Sequence, residues 1–164
     1  MRRVTAILSM AAVVLMTAGL AAQAKPSFAG EWKKMADPAA DGGGGRGGPG
    51  ADLAIKQDAT TMILEYRAGG QTSAPLKLTY KLDGSPSRNM TAGRSGAPSE
   101  QVSKAMWAGN NIVVTTMTDA GEEKRTFSID GGYLVVETSA SARSGGAPTI
   151  TKVVYQKYER GHGG

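Results

Sequence analysis

The feature that most constrains the fold is a seven-residue stretch in which apolar and polar side chains alternate strictly. In Leu76-Lys77-Leu78-Thr79-Tyr80-Lys81-Leu82 every second side chain is apolar. Successive side chains of a strand point to opposite faces, so this period indicates a strand with one buried and one solvated face. Similar segments arrive about every 8–12 residues along the chain, which is typical of all-β sandwiches and barrels. We therefore predict an all-β fold.

Turn residues separate these segments. Asp83-Gly84 and Asp130-Gly131 tolerate the positive φ angles that tight hairpins require. Short turns between successive strands favour an antiparallel up-and-down meander, closed or stacked. We predict about 8–9 strands that form a barrel. The candidate strands are residues 28–35, 53–57, 61–67, 76–82, 100–107, 112–117, 124–129, 133–138 and 149–158.

The N-terminus has the layout of a secretory signal peptide. Basic Arg2 and Arg3 precede an apolar run from Val4 to Leu20, and Ala22-Gln23-Ala24 supplies the small residues of a cleavage site. We predict a signal helix over residues 1–24 and export to the periplasm or the medium. The alternative is a retained anchor, because the apolar run just reaches the length that spans a bilayer.

Composition excludes several kinds of site. The chain contains no cysteine, which excludes disulfides, thiolate metal ligands, cysteine nucleophiles and a lipoprotein anchor. Removal of Arg2 and Arg3 with the leader leaves 17 basic and 14 acidic residues, a net charge of +3. This weak basicity lacks the dense patches of a nucleic-acid-binding surface, so we expect no nucleic acid partner.

The remaining 140 residues suffice for one domain. We predict a first strand within residues 25–36 and a Gly-rich flexible loop over residues 37–51, because glycine at that density buries too little apolar area to be held. The barrel body follows over residues 52–160, and residues 161–164 form a disordered tail.

A membrane-spanning barrel is the main alternative to a soluble one. Such barrels need strands of about ten residues and an outward apolar band. Several candidate strands here have six or seven residues, and outward positions are assigned to Lys77, Lys81, Lys124 and Arg125. We therefore expect no stable membrane insertion after signal cleavage.

Gly30-Glu31-Trp32 resembles the Gly-x-Trp of lipocalin first strands. This resemblance implies that Trp32 closes one end of the barrel and that a basic residue of the last strand, Lys157 or Arg160, packs across it. Together with the meander, the layout is similar to small exported bacterial lipocalin-like β-barrel proteins. Two features depart from that family: the Gly-rich insertion after the first strand, and the absence of a helical pattern after the barrel.

All nine aromatic residues after the leader fall in candidate strands, where large rings either fill a core or line a cavity. Four arginines fall in stretches interpreted as Gly-, Ser- or Pro-rich loops and could form a cationic rim at a barrel mouth. The candidate ligand-lining residues are Trp32, Tyr66, Tyr80, Trp107, Phe127 and Tyr155. The candidate rim residues are Arg46, Arg88, Arg94 and Arg143.

Catalytic machinery is not evident in the sequence. His162 is the only histidine and lies in the Gly-rich tail, where side chains are rarely held in catalytic geometry. The acidic residues follow no calcium-loop spacing. We therefore expect a protein without enzymatic activity, cofactor or metal.

Two functional hypotheses remain open. The first is an exported barrel that encloses a small apolar or anionic ligand. The alternative is a non-enzymatic envelope protein with a filled barrel, whose outer surface or edge strand meets a partner. The oligomeric state does not follow from the sequence.

Overall fold

The computed structural model describes residues 24–36, 51–67, 75–92, 97–118, 121–141 and 146–158. Within these ranges the regular structure consists of ten β-strands. They are β1 (Gly30–Lys34), β2 (Asp52–Gln57), β3 (Thr61–Arg67), β4 (Leu76–Lys81), β5 (Asp83–Ala92), β6 (Pro98–Ala108), β7 (Asn111–Thr118), β8 (Gly121–Asp130), β9 (Tyr133–Ala140) and β10 (Thr149–Lys157).

The strands form one antiparallel sheet in the order β4-β3-β2-β1-β10-β9-β8-β7-β6-β5. Strands that are consecutive in the chain are neighbours in the sheet, except for β4 and β5, which form its two edges. In addition β1 pairs with β10, with Trp32 opposite Lys157. The edge strands β4 and β5 lie side by side, so the sheet curls into a nearly closed barrel. No helix in the described ranges is long and apolar enough to cross a membrane.

The barrel has two ends, and successive connections between strands alternate between them. The turns β2–β3, β4–β5, β6–β7 and β8–β9 gather at one end, which we call the lower end, with residues 24–29. The other five connections leave from the opposite, upper end. Gly131 and Gly132, with φ of 57° and 86°, form the lower turn between β8 and β9, as the Asp130-Gly131 pair predicted.

The N-terminal segment closes the lower end. Phe28 is fully buried, its backbone N–H donates to Gln57 Oε1 at 2.8 Å, and its carbonyl accepts from Trp32 Nε1 at 2.9 Å. Its ring lies 6.0 Å from that of Trp107. Lys25 Nζ lies 4.7 Å from the Trp107 ring centroid, a cation–π contact. The segment from Lys25 onward is therefore part of the folded domain.

Inward side chains form one hydrophobic core, and its members follow the period-two pattern of the strands. On β3, Met62, Leu64 and Tyr66 are buried while the residues between them are half-buried. Leu78 and Tyr80 continue the core on β4, as the strict alternation predicted.

The structure has ten strands, so the prediction of 8–9 is wrong. The prediction missed β5, because this segment shows no alternation of apolar and polar residues. Its inward residues include Ser87 and Asn89, which are polar although they are only 5% and 7% exposed. An apolar/polar alternation cannot arise where the buried face is itself polar. The chain reverses at Leu82, and Gly84, with φ of 82°, lies just inside β5 where the register with β6 shifts.

The same two residues join the edges of the sheet. Asn89 Oδ1 accepts from the Thr79 backbone N–H at 2.7 Å, and Asn89 Nδ2 donates to the Thr79 carbonyl at 3.1 Å. Ser87 Oγ accepts from the Lys81 N–H at 2.8 Å. Side chains of β5 thus take the role that backbone groups play elsewhere in the sheet. We call these three hydrogen bonds the β4–β5 seam.

The Gly-x-Trp resemblance has a counterpart in the structure. Lys157 is the register partner of Trp32, and a methyl group at Gly30 would come within 3.2 Å of Lys157 Cε. With a φ of 145°, Gly30 also adopts a backbone conformation that favours glycine. A basic residue of the last strand therefore lies beside the first-strand tryptophan, as the resemblance implied. Arg160 lies outside the described residues.

The seam can be tested by removing its central amide. Asn89→Ala leaves the Thr79 N–H and carbonyl without their partner, and we expect a loss of about 1–3 kcal/mol in the free energy of unfolding. Urea denaturation measures this loss. Arg88→Ala is the matched control, because it removes an exposed ion pair on the same strand and should cost at most about 1 kcal/mol. Equal effects of the two substitutions would contradict the seam.

Candidate functional site

The six candidate ligand-lining rings all point into the barrel. Five are buried, at 4% exposure or less, and Trp107 is half-buried against the core. Near the lower end this core includes Phe28, Ile112 and Leu134, all fully buried. The described inner face at that end is therefore apolar and packed around Phe28.

Higher in the barrel the inner face of four adjacent strands becomes polar. Ser87, Ser103, Thr116 and Glu123 are successive register partners across β5, β6, β7 and β8. Ser103 Oγ and Thr116 Oγ1 share a buried hydrogen bond of 2.7 Å. These residues form a polar row, and an isolated polar row inside a barrel requires partners within the interior.

Arg125 lies next to this row, one inward position below Glu123 on β8. Its Nη2 lies 2.6 Å from Glu123 Oε1, a short charge-assisted hydrogen bond. The two side chains are 15% and 24% exposed, whereas the next inward residue, Phe127, is fully buried. Solvent therefore reaches the inner face from the upper end as far as this ion pair and not beyond it.

The guanidinium of Arg125 acts on two tyrosines from the opposite part of the sheet. β8 is separated in the sheet from β3 and β4 by four and five strands, yet the charge of Arg125 influences both Tyr66 and Tyr80. The side chains can meet only through the barrel interior. Glu123, Arg125, Tyr66 and Tyr80 are called the inner polar cluster below.

Two atoms of this cluster have unused hydrogen-bonding capacity. Tyr66 Oη and Arg125 Nε are buried and, among the described residues, find no hydrogen-bond partner of acceptable geometry. The guanidinium of Arg125 is close enough to Tyr66 for a hydrogen-bonding interaction that acts to lower the pKa of Tyr66, but neither Tyr66 Oη nor Arg125 Nε has a bond of acceptable geometry. Both groups can donate at neutral pH, so the inner polar cluster contains one N–H and one O–H donor without a partner.

Burial controls the protonation of the cluster. It raises the pKa of Tyr66 and of Tyr80, and Arg125 offsets this only in part. Burial acts to lower the pKa of Arg125, but Tyr66 and Glu123 act in the opposite direction and leave it above its usual range. Throughout the physiological range the tyrosines are therefore neutral donors and Arg125 is a cation.

The assignment of Arg125 to an outward position is wrong. Lys124 and Arg125 are neighbours in one strand, so only one of them can face solvent. Lys124 is exposed, and Arg125 shares the inward side with Phe127. The signal was present in the sequence, because Phe127 and Ile129 follow Arg125 at a spacing of two. Its charge alone had suggested solvent exposure.

The candidate cationic rim is only partly described. Arg88 was assigned to a loop, and this is wrong: it lies in β5 with its side chain outward, bonded to Glu100 at 3.0 Å. The polar composition around it reflects the polar inner face of β5. Arg46, Arg94 and Arg143 lie outside the described residues, but the strands that flank them all end at the upper end. The rim remains a prediction for these three.

A second concave region lies on the outer face. A cavity of about 290 Å³ is bordered by residues of β1–β3 and by Tyr158, and its lining includes the core residues Trp32 and Leu53. Arg67 Nη2 there pairs with Glu31 Oε1 at 3.0 Å. Its arginine is paired, and among the described residues its lining contains no buried donor without a partner. The inner polar cluster is therefore the better candidate site.

Metal chemistry finds no support in the described part of the chain. Among those residues no three potential ligands of the His, Asp or Glu type gather in one place. His162 lies outside the described ranges.

The raised tyrosine pKa values predict a loss of stability at alkaline pH. A group whose pKa is higher in the folded state contributes stability that is complete below its unfolded pKa, about 10 for tyrosine, and is lost as the pH rises further. We expect the urea midpoint to fall above about pH 10 and to fall less steeply in Tyr66→Phe. Tyr158→Phe, on the outer face and half-exposed, is the control. Identical pH profiles for wild type and Tyr66→Phe would contradict the burial of this hydroxyl.

Comparisons with known proteins agree on the architecture. No family model matches the chain, and no curated protein sequence matches it significantly. Among solved structures, a point variant of the fluorescent protein UnaG superposes with a TM-score of 0.56 at 20% identity over 81% of this chain and 97% of its own. Wild-type UnaG gives 0.54 at 18% identity over 80% and 97%. A protein described as the REP1-NXSQ fatty acid transporter gives 0.57 at 12% identity over 80% and 96%. At these identities the likeness shows the fold alone: the chain forms a β-barrel similar to those of these proteins.

Proposed function

We propose that the protein is an exported, non-enzymatic barrel that binds a small, partly apolar ligand at the inner polar cluster. The observation that carries this proposal is the pair of buried donors without partners, Tyr66 Oη and Arg125 Nε. More than 90% of buried polar groups in proteins are hydrogen-bonded, and an unmet one costs about 1–3 kcal/mol. A ligand acceptor placed between the two donors would remove both penalties.

The surroundings of the cluster suit an apolar body attached to that acceptor. Leu53 and Leu76 are the register partners of Tyr66 on the neighbouring strands, and Val114 is the partner of Arg125. Binding sites for small molecules are typically apolar with a few placed polar groups. One of the structural neighbours is described as a fatty acid transporter, which supports a partly apolar ligand.

Access from the upper end supports the same proposal. The side chains of Glu123 and Arg125 are partly exposed, which supports entry from the upper end, whereas Phe28 closes the lower end. The three rim candidates Arg46, Arg94 and Arg143 belong to connections that start from the upper end. These three residues remain candidates for a cationic rim around this entrance.

The alternative of an interaction protein that recruits a partner strand receives less support. Strand addition needs an unpaired edge. The two edges of this sheet, β4 and β5, face each other and are joined by the seam through Asn89 and Ser87. Within the described strands, both edges are therefore occupied.

We further propose export with cleavage after Ala24. The basic, apolar and A-x-A regions of residues 1–24 support it. Cleavage there would leave Lys25, with its contact to Trp107, as the first residue of the domain and would preserve the closure of the lower end. Mass spectrometry of the protein recovered from the periplasm or medium should show Lys25 at the N-terminus. Recovery only from the membrane fraction with residues 1–24 intact would contradict cleavage and favour the anchor.

Ligand binding can be tested by titration with twelve-carbon compounds that differ in head group, followed through the fluorescence of Trp32 and Trp107. Trp32, Leu53 and Tyr66 are register partners on three adjacent strands. Trp32 therefore lies about 10 Å from Tyr66. We expect a saturable change with at least one compound. Loss of one hydrogen bond in Tyr66→Phe should weaken binding about 3- to 10-fold.

Tyr158→Phe removes the same hydroxyl from the outer face and should leave the dissociation constant unchanged. A flat response of folded wild-type protein to the whole series would contradict the proposal and favour a filled barrel.

A further inference from the structure

We infer that the ligand group held by the inner polar cluster is an uncharged acceptor, such as an amide, ester or ketone carbonyl, and that Glu123 excludes a free carboxylate. This inference rests on the proposed function. It concerns the class of ligand that the site selects.

The opposite charges of Arg125 and Glu123 already balance each other in the inner polar cluster. Arg125 is its cation, and Glu123 already neutralises it through a contact of 2.6 Å. The charged groups that act on Tyr66 are these two. A carboxylate at the two free donors would place a second anion on a cation that is already paired, close to Glu123. Like charges at such range in a poorly solvated site are strongly disfavoured.

The ion pair also affects how a ligand can bond to the guanidinium of Arg125. Glu123 contacts Nη2, and Nε is a buried donor of Arg125 without a partner among the described residues. Bidentate recognition of a carboxylate uses two parallel N–H groups of one guanidinium. A ligand carboxylate at the Nε and Nη2 side of the guanidinium would therefore share Nη2 with the Glu123 carboxylate, which brings two anions together at one atom. A single acceptor atom that receives one bond from Arg125 and another from Tyr66 fits the remaining donors.

The hydroxyl group of Tyr66 stays protonated at neutral pH. Burial raises the pKa of Tyr66, so its hydroxyl remains a donor. A carbonyl oxygen has two lone pairs and can accept from Tyr66 Oη and Arg125 Nε together, with no change in the charge of the site. Glu123 is thus a positioning and specificity-determining residue: it holds Arg125 and repels an anion.

The test compares matched head groups on the same chain. Fatty acids and their primary amides with 8 to 14 carbons are titrated at pH 7.5 and below their aggregation concentrations. We expect the amide to bind at least 10-fold more tightly than the acid of equal length. Glu123→Gln removes the resident anion, and in this variant we expect the acid to gain at least 10-fold while the amide changes less than 3-fold.

Glu122→Gln is the matched control, since Glu122 is the exposed neighbour on the same strand and its loss should leave both affinities unchanged. Urea denaturation of Glu123→Gln shows whether the variant is folded. If it is not, Glu123→Asp, which keeps the anion, provides a second variant and should keep the preference for the amide. Tighter binding of the acid by wild-type protein would overturn this inference and leave the proposed function intact. If neither series binds to folded protein, the proposed function fails and this inference with it.

Discussion

The ion pair of Arg125 with Glu123 determines what the interior of this barrel can do. A closed sheet sends every second side chain into one shared space, so a cation placed there must find its partners inside. Glu123, from the same strand, supplies the compensating charge at 2.6 Å. Tyr66 and Tyr80, from strands distant from β8 in the sheet, complete the surroundings of Arg125. The polar cluster thereby separates a solvent-accessible upper part of the interior from the apolar lower part around Phe28.

Closure of the sheet depends on polar groups as well. The edges β4 and β5 are joined through the side chains of Asn89 and Ser87, which bond to backbone groups of Thr79 and Lys81. The same strand β5 begins the polar row that ends at Glu123. One polar inner face thus serves both the seam and the site. A more apolar β5 would be easier to recognise in the sequence, but it could not provide these bonds.

Much of the architecture follows from local patterns, whereas the site does not. Alternation over Leu76–Lys81 and the turn at Asp130-Gly131 predict a strand and a hairpin because both depend on neighbouring residues alone. The buried aromatic rings follow from the same rule. β5 is missed because Ser87 and Asn89 are polar and buried, a combination that only their partners in β4 explain. Arg125 is misplaced because its charge suggests solvent, although the spacing to Phe127 indicates the interior.

Arg125 comes close to Tyr66 and Tyr80 because the sheet closes into a barrel. The strands β3 and β4, which carry the tyrosines, are separated from β8 in the sheet by four and five strands, and no local pattern relates these residues. The sequence therefore predicts a barrel with rings inside and cannot predict which polar groups converge. The same holds for the proposed specificity, which depends on how Glu123 holds the guanidinium of Arg125.

The most direct test of the central claim is the NMR signal of the Arg125 Nε–H group, assigned through its loss in Arg125→Lys and followed during titration with a fatty amide. If the ligand accepts from this donor, the signal shifts saturably with the same dissociation constant as the tryptophan fluorescence, and Tyr66→Phe weakens both responses equally. If the fluorescence saturates while this signal stays in place, the ligand lies elsewhere and the inner polar cluster is not its binding site.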